Sequence, residues 1–180
     1  MPSRGDILLL AGYNASMNRK LYEAAASLPP DEATRERGAF FGSLLGTMNH
    51  LMASDTIWLT RFALHPSRFV ALDALRGAQT PSSLTQPFGD SVAALRPQRE
   101  RLDAMISGLA QELSDADLAQ TLTYTNSRGQ AFHRQFGSLL LHFFNHQTHH
   151  RGQASTLLFQ AGVDIGVTDL LTLIPDALAP

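Results

Sequence analysis

Residues 139–158 read LLLHFFNHQTHHRGQASTLL, and four of the chain's seven histidines, His142, His146, His149 and His150, fall within them. The stretch holds no proline, Gly152 is its one glycine, and Gly162 follows as a stop signal. That pattern predicts a long helix over residues 136–161. On a helix, residues four apart lie on one face, one above the other. His146 and His150 therefore aim two imidazoles at a common point, the spacing that helical zinc sites use. His142 and His146 stand in the same relation, whereas His142 and His150 are separated by ~12 Å of axis, too far to share an ion. Spacing alone leaves the two adjacent pairs open. Two imidazoles hold a metal weakly, so a third ligand has to come from another segment.

The surroundings bound the answer. A chain of 180 residues fits a single domain over 1–180 with a sizeable core. The formal net charge of −2 comes with no basic stripe, which argues against nucleic acid as a partner. The longest aliphatic runs, such as residues 7–11, are far too short to span a bilayer. The opening MPSRGD lacks the layout of a signal peptide, so a cytoplasmic protein is expected. The absence of cysteine excludes disulfides, thiolate nucleophiles and thiolate ligands. Any metal must be held by nitrogen and oxygen.

Three further helices are predicted. Asp6 caps the first, over residues 7–28, whose apolar positions Leu9, Leu10, Tyr13, Met17, Leu21 and Ala24 follow a three-to-four spacing. Leu28-Pro29-Pro30-Asp31 ends it. The second covers residues 37–64 and carries Gly38, Gly42 and Gly46. Each glycine costs roughly 1 kcal/mol against alanine in a helix interior, which suggests close approach of another helix or of a ligand. Residues 65–89 read as a long connection with one short helical turn. The third helix spans residues 90–113 with Pro97 inside it, so a kink or a later start is expected. Leu122, Tyr124, Ala131 and Phe132 flank the turn-rich Asn126-Ser127-Arg128-Gly129, which reads as a small β-hairpin. The tail, residues 163–180, folds back over the helices. The sum is an all-α four-helix bundle with a β-hairpin before the last long helix, and bundles build metal sites from facing helices.

His50 is the only histidine interior to another predicted long helix, and it can supply the third imidazole to His146 and His150. Three neutral imidazoles with open positions are the pattern of a catalytic rather than a structural site. Ser43, Gly46 and Thr47 lie close to the azimuth of His50 and leave space beside it. Ser54 and Arg61 continue that face, and Gln153 shares the face of His146 and His150. Arg61 and Gln153 are candidates for substrate contact.

At Tyr13-Asn14 through Asn18, at RGAFFGSLLGTMNHLMASDTIWLTRF (residues 37–62) and most specifically at HFFNHQTHHRGQ (residues 142–153), the chain resembles the DinB family of DinB/YfiT-like metalloenzymes. The resemblance implies a four-helix bundle of unusual helix order that binds a divalent metal through three histidines, here His50, His146 and His150. It thereby chooses between the two adjacent pairs. Ser16 departs from the aromatic residue common there. Asp55 and Trp58 belong to the family pattern. Asp55 lies ~140° around from His50 at ~100° per residue, a poor direct ligand. It is expected instead to join Arg151 or His149 in a buried pair. The wider superfamily implies transferases and isomerases that use low-molecular-weight thiols, and homodimers are common in it.

Two functions follow. One is a metal-dependent transferase or hydrolase acting on a small molecule, with zinc the first choice and nickel the alternative. The other is a non-catalytic metal-binding stress-response protein whose ion staples two helices. The enzyme reading expects an open cleft near Gly46 and Thr47. The staple reading expects His142 or His149 as a fourth ligand.

Overall fold

The computed structural model describes residues 1–126 and 128–176. Ser127 of the hairpin turn and residues 177–180 of the tail lie outside the described residues. The chain is mostly helical with one two-stranded antiparallel sheet. Helix α1 (Arg4–Ala26) is followed by the short α2 (Pro30–Thr34) and by α3 (Leu44–Phe62). A connection with a 3-10 turn at Val70–Leu75 leads to α4 (Val92–Glu112) and the short α5 (Asp115–Ala119). Strands β1 (Thr121–Thr125) and β2 (Ala131–Gln135) precede α6 (Phe136–Gln160). The four long helices close a ring of contacts, α1 against α4 and α6, and α3 against α6 and α4. None of the described helices is long and apolar enough to cross a membrane.

Local chemistry sets the boundaries. Helix α1 begins earlier than expected because Ser3, not Asp6, is the cap. The Ser3 hydroxyl accepts from the Asp6 amide at 3.2 Å, and the Asp6 carboxylate accepts from the Ser3 amide at 2.8 Å. This reciprocal capping box satisfies two otherwise orphaned donors. Helix α3 begins later than expected. Gly38 and Gly42 adopt φ of 67° and 75°, a left-handed backbone that a helix cannot contain. They shape a turn closed by the Arg37 amide donating to the Gly42 carbonyl at 2.9 Å, after which Ser43 caps the helix. The close approach that the glycines suggested is corrected to a local one, in which the turn preceding α3 presses on Gly46. A Cβ there would fall 2.1 Å from the Phe41 carbonyl oxygen.

Pro97 lies inside α4 without ending it. The hairpin pairs Thr121 with Gln135 and Tyr124 with Phe132, and the Asn126 side chain closes its turn by accepting from the Arg128 and Gln130 amides. Gly162, at φ 84°, terminates α6. The Val163 amide donates to the Leu158 carbonyl and the Gly162 amide to that of Phe159, the Schellman pattern. The tail then crosses α1, where Tyr13 Oη donates to the Thr168 carbonyl at 2.6 Å and Lys20 Nζ to that of Val167 at 2.7 Å.

A charged network lies in the middle of the ring. The expected pairing of Asp55 with Arg151 or His149 is corrected. Asp55 instead accepts from Arg99 of α4 at 2.5 Å and from Gln147 of α6. Arg99 also reaches Asp103 at 2.9 Å. Arg151 donates to Asn14 and Asn18 of α1 and, at 3.3 Å, to Gln147. The amide side chain of Gln147 thus stands between Asp55 and Arg151. Arg99 wins the contact because α3 packs against α4 as well as α6, so a carboxylate well off the His50 azimuth meets α4. His149 lies on the exposed side of α6.

Candidate metal centre

Helices α3 and α6 bring His50, His146 and His150 together, with one donor atom of each within 4.8 Å of the others. His50 Nε2 lies 3.3 Å from His146 Nε2 and 3.2 Å from His150 Nε2. A tetrahedral or octahedral ion with metal–nitrogen bonds of about 2.0–2.1 Å separates neighbouring donors by about 2.8–3.4 Å. Both spacings fit. Ser54 Oγ lies 3.5 Å from His146 Nε2 on the same side.

Outer contacts fix two of the tautomers. His50 Nδ1 is 3.0 Å from the Leu84 carbonyl, which can only accept, so that nitrogen carries the proton. His150 Nδ1 donates to Gln153 Oε1 at 2.8 Å, and the Gln153 amide nitrogen faces His149 Nε2 at 3.3 Å. Burial pushes the pKa of all three rings down. It is the leading cause for His50, partly offset by the Leu84 contact, and for His150, partly offset by Gln153. His146, half-buried and crowded by the other rings, is pushed down to about 3. The rings are therefore neutral near pH 7, and His50 and His150 point bare Nε2 lone pairs at each other across 3.2 Å. Such an arrangement is repulsive unless a cation lies between the lone pairs. Tying Nδ1 to an oxygen is also how proteins orient metal-binding imidazoles.

Two neighbours of the three rings carry no spacing signal in the sequence. The Phe41 ring stacks on His50 at 3.9 Å between centroids and meets His150 edge-on at 5.5 Å. The Leu84 carbonyl comes from the long connection, which Asn49 also anchors by accepting from the Phe88 and Gly89 amides. A backbone carbonyl leaves no mark in a sequence. Phe41 belongs to the RGAFFG motif, and the turn at Gly42 is what brings its ring over His50. The same turn corrects the space expected beside Gly46 and Thr47, because the Phe41 backbone fills it and Thr47 is buried with its hydroxyl on the Ser43 carbonyl.

Gln153 is engaged by His150 and His149. Arg61 lies over the Trp58 and Tyr124 rings. His142 meets Trp58 edge-on at 5.1 Å. Among the described residues, no fourth His, Cys, Asp or Glu joins the three imidazoles. Replacing Gln153 by leucine is expected to weaken metal binding about 10–100-fold, the usual effect of losing an orienting partner. Competition against a chromophoric chelator measures this, and an unchanged affinity would remove Gln153 from the site.

A family model described as DinB family matches residues 1–176. Among curated proteins, Protein DinB of Bacillus subtilis (strain 168) is 26% identical over 157 residues, covering 87% of each chain. No solved structure matches the chain significantly.

Proposed function

Since the chain belongs to the DinB family, we propose that it is a metal-dependent enzyme, a transferase or hydrolase acting on a small molecule, with His50, His146 and His150 as ligands of one divalent ion. The observation that carries this reading is the convergence of three Nε2 atoms, two of them on rings turned by contacts at the opposite nitrogen. Zinc is the first choice, because it is redox-inert and content with few ligands. Nickel is the alternative, since imidazole suits it equally. When bound, such an ion supplies a Lewis acid that acidifies water or a thiol at neutral pH.

The chain's own residues do the rest. The Leu84 carbonyl and Gln153 hold two rings in the orientation that frees Nε2. Phe41 shields one side of His50 from water. Ser54 offers a hydroxyl beside His146 to orient a polar group of the substrate. With no cysteine in the chain, a thiol nucleophile has to arrive as a co-substrate, which favours a low-molecular-weight thiol. We read the ring of four helices as a bundle of the DinB/YfiT type, working in the cytoplasm as a homodimer. The three-membered donor set favours this reading over an ion that merely staples α3 to α6, which calls for a fourth protein ligand.

The test is a screen of thiols against electrophilic acceptors, run with protein stripped by a chelator and with the same protein reloaded. Turnover should disappear on stripping and return with zinc or nickel. A stripped protein that keeps its turnover would refute the metal-dependent mechanism.

A further inference from the structure

Arg61 lies on α3, about 16 Å along the axis from His50 at ~1.5 Å per residue, and at ~100° per residue it returns to within about 20° of the same azimuth. It is half-buried. Its guanidinium is 4.7 Å from the Trp58 ring centroid and 5.0 Å from that of Tyr124. Those two rings are its only partners among the described residues, and no carboxylate compensates the loss of water around it. Cation–π contact uses the face of the guanidinium and leaves its N–H edge open.

Arg61 borders a cleft of about 300 Å³ lined also by Thr60, Thr80, Thr125 and Asn126, and none of the lining residues is acidic. Gly77 and Pro81 belong to the opposite wall. The same connection runs on to Leu84, whose carbonyl holds His50. One helix face and one loop therefore border both the cleft and the three-imidazole centre.

We propose that Arg61 is the recognition point for the carboxylate of an elongated small-molecule substrate whose reacting end lies at His50, His146 and His150. The inference rests on the metal-dependent reading above and names the class of molecule that reading lacks. A guanidinium seated over two rings, with no carboxylate beside it, offers the planar fork that matches the two oxygens of a carboxylate. The Thr80 and Thr125 hydroxyls supply neutral donors around it, and the Asn126 amide adds its second N–H, the first being donated to Gln130. Arginine side chains on a helix lean back toward its N-terminus, so a molecule on the order of 10–15 Å long bridges the two points.

The test compares a long-chain ω-mercaptoalkanoic acid with the ω-mercaptoalkanol of equal length, titrated calorimetrically into zinc-loaded protein. The acid should bind about tenfold or more tightly than the alcohol. Arg61→Met should bring the two close to parity without changing zinc content or the affinity for the alcohol. Arg61→Lys, which keeps the charge but not the fork, should retain an intermediate preference. Equal affinities in the unmodified protein, or a preference that survives Arg61→Met, would overturn the assignment. A second arm titrates decanoate into the metal-free protein. Binding that depends on Arg61 there upholds the carboxylate site even if zinc uptake fails, a failure that would sink the metal reading alone.

Discussion

Replacing His50 by alanine is expected to lower divalent-metal affinity by more than about 100-fold, beyond the usual cost of losing an orienting partner. His50 is the one donor contributed by α3. Without it, the remaining pair sits on α6 alone and the ion has two imidazoles. The substitution also removes the group that the Leu84 carbonyl accepts from and the ring on which Phe41 stacks, so some stability is lost as well. His50→Gln fills more of the space and separates the two effects, since it too should lose the metal while restoring part of the melting temperature. His142→Ala is the control, because its ring lies against Trp58. A chelator competition with each variant reads the result. Affinity for His50→Ala within about tenfold of the unmodified protein would contradict the assignment, as a true ligand cannot be lost so cheaply.

The second large effect is on stability. Asp55→Ala is expected to cost about 3–5 kcal/mol, the range for removing one partner of a buried ion pair. For a chain of this size that corresponds to a fall in Tm of roughly 6–20 °C. Asp55 and Arg99 are 1% and 3% exposed, so neither charge can turn to water when the other is lost. Burial pushes the Asp55 carboxyl up to about 6, while the Arg99 guanidinium beside it opposes that rise, so the group is still ionised at neutral pH. The alanine would leave Arg99 with Asp103 alone and Gln147 without its acceptor. Asp55→Asn, which keeps an acceptor for both, should lose less. Thermal unfolding followed by circular dichroism measures both, and a Tm for Asp55→Ala within about 2 °C of the unmodified protein would show that the network contributes little.

The two halves of the site differed in how far the sequence revealed them. Helix α6 was legible because its histidines repeat at the helical period, uninterrupted by proline, and the glycine that ends it sits where a left-handed residue is needed. His50 was legible because it alone among the other histidines fell inside a long apolar helix. Spacing could not choose between His142 and His150 as the companion of His146. The structure separates them by what each ring meets, Trp58 for the one and His50 for the other.

The start of α3 is obscured in the sequence because three glycines at regular spacing look like a packing stripe. Only the positive φ of Gly38 and Gly42 reveals a turn. Arg99 was missed as the partner of Asp55 because α4 carries Arg96, Arg99 and Arg101 within one and a half turns, and nothing local tells which of them points inward. The Leu84 carbonyl and the amide of Gln147 act across long sequence separations, where no period exists to be read.

The central claim is that three imidazoles from two helices hold one ion. X-ray absorption at the metal edge, on protein loaded to saturation with zinc, tests it most directly. The account predicts one ion per chain, with three imidazole nitrogens at about 2.0–2.1 Å and any further donor a light atom from solvent or substrate. A spectrum that fits two imidazoles or fewer, or one left unchanged by His50→Gln, would contradict it.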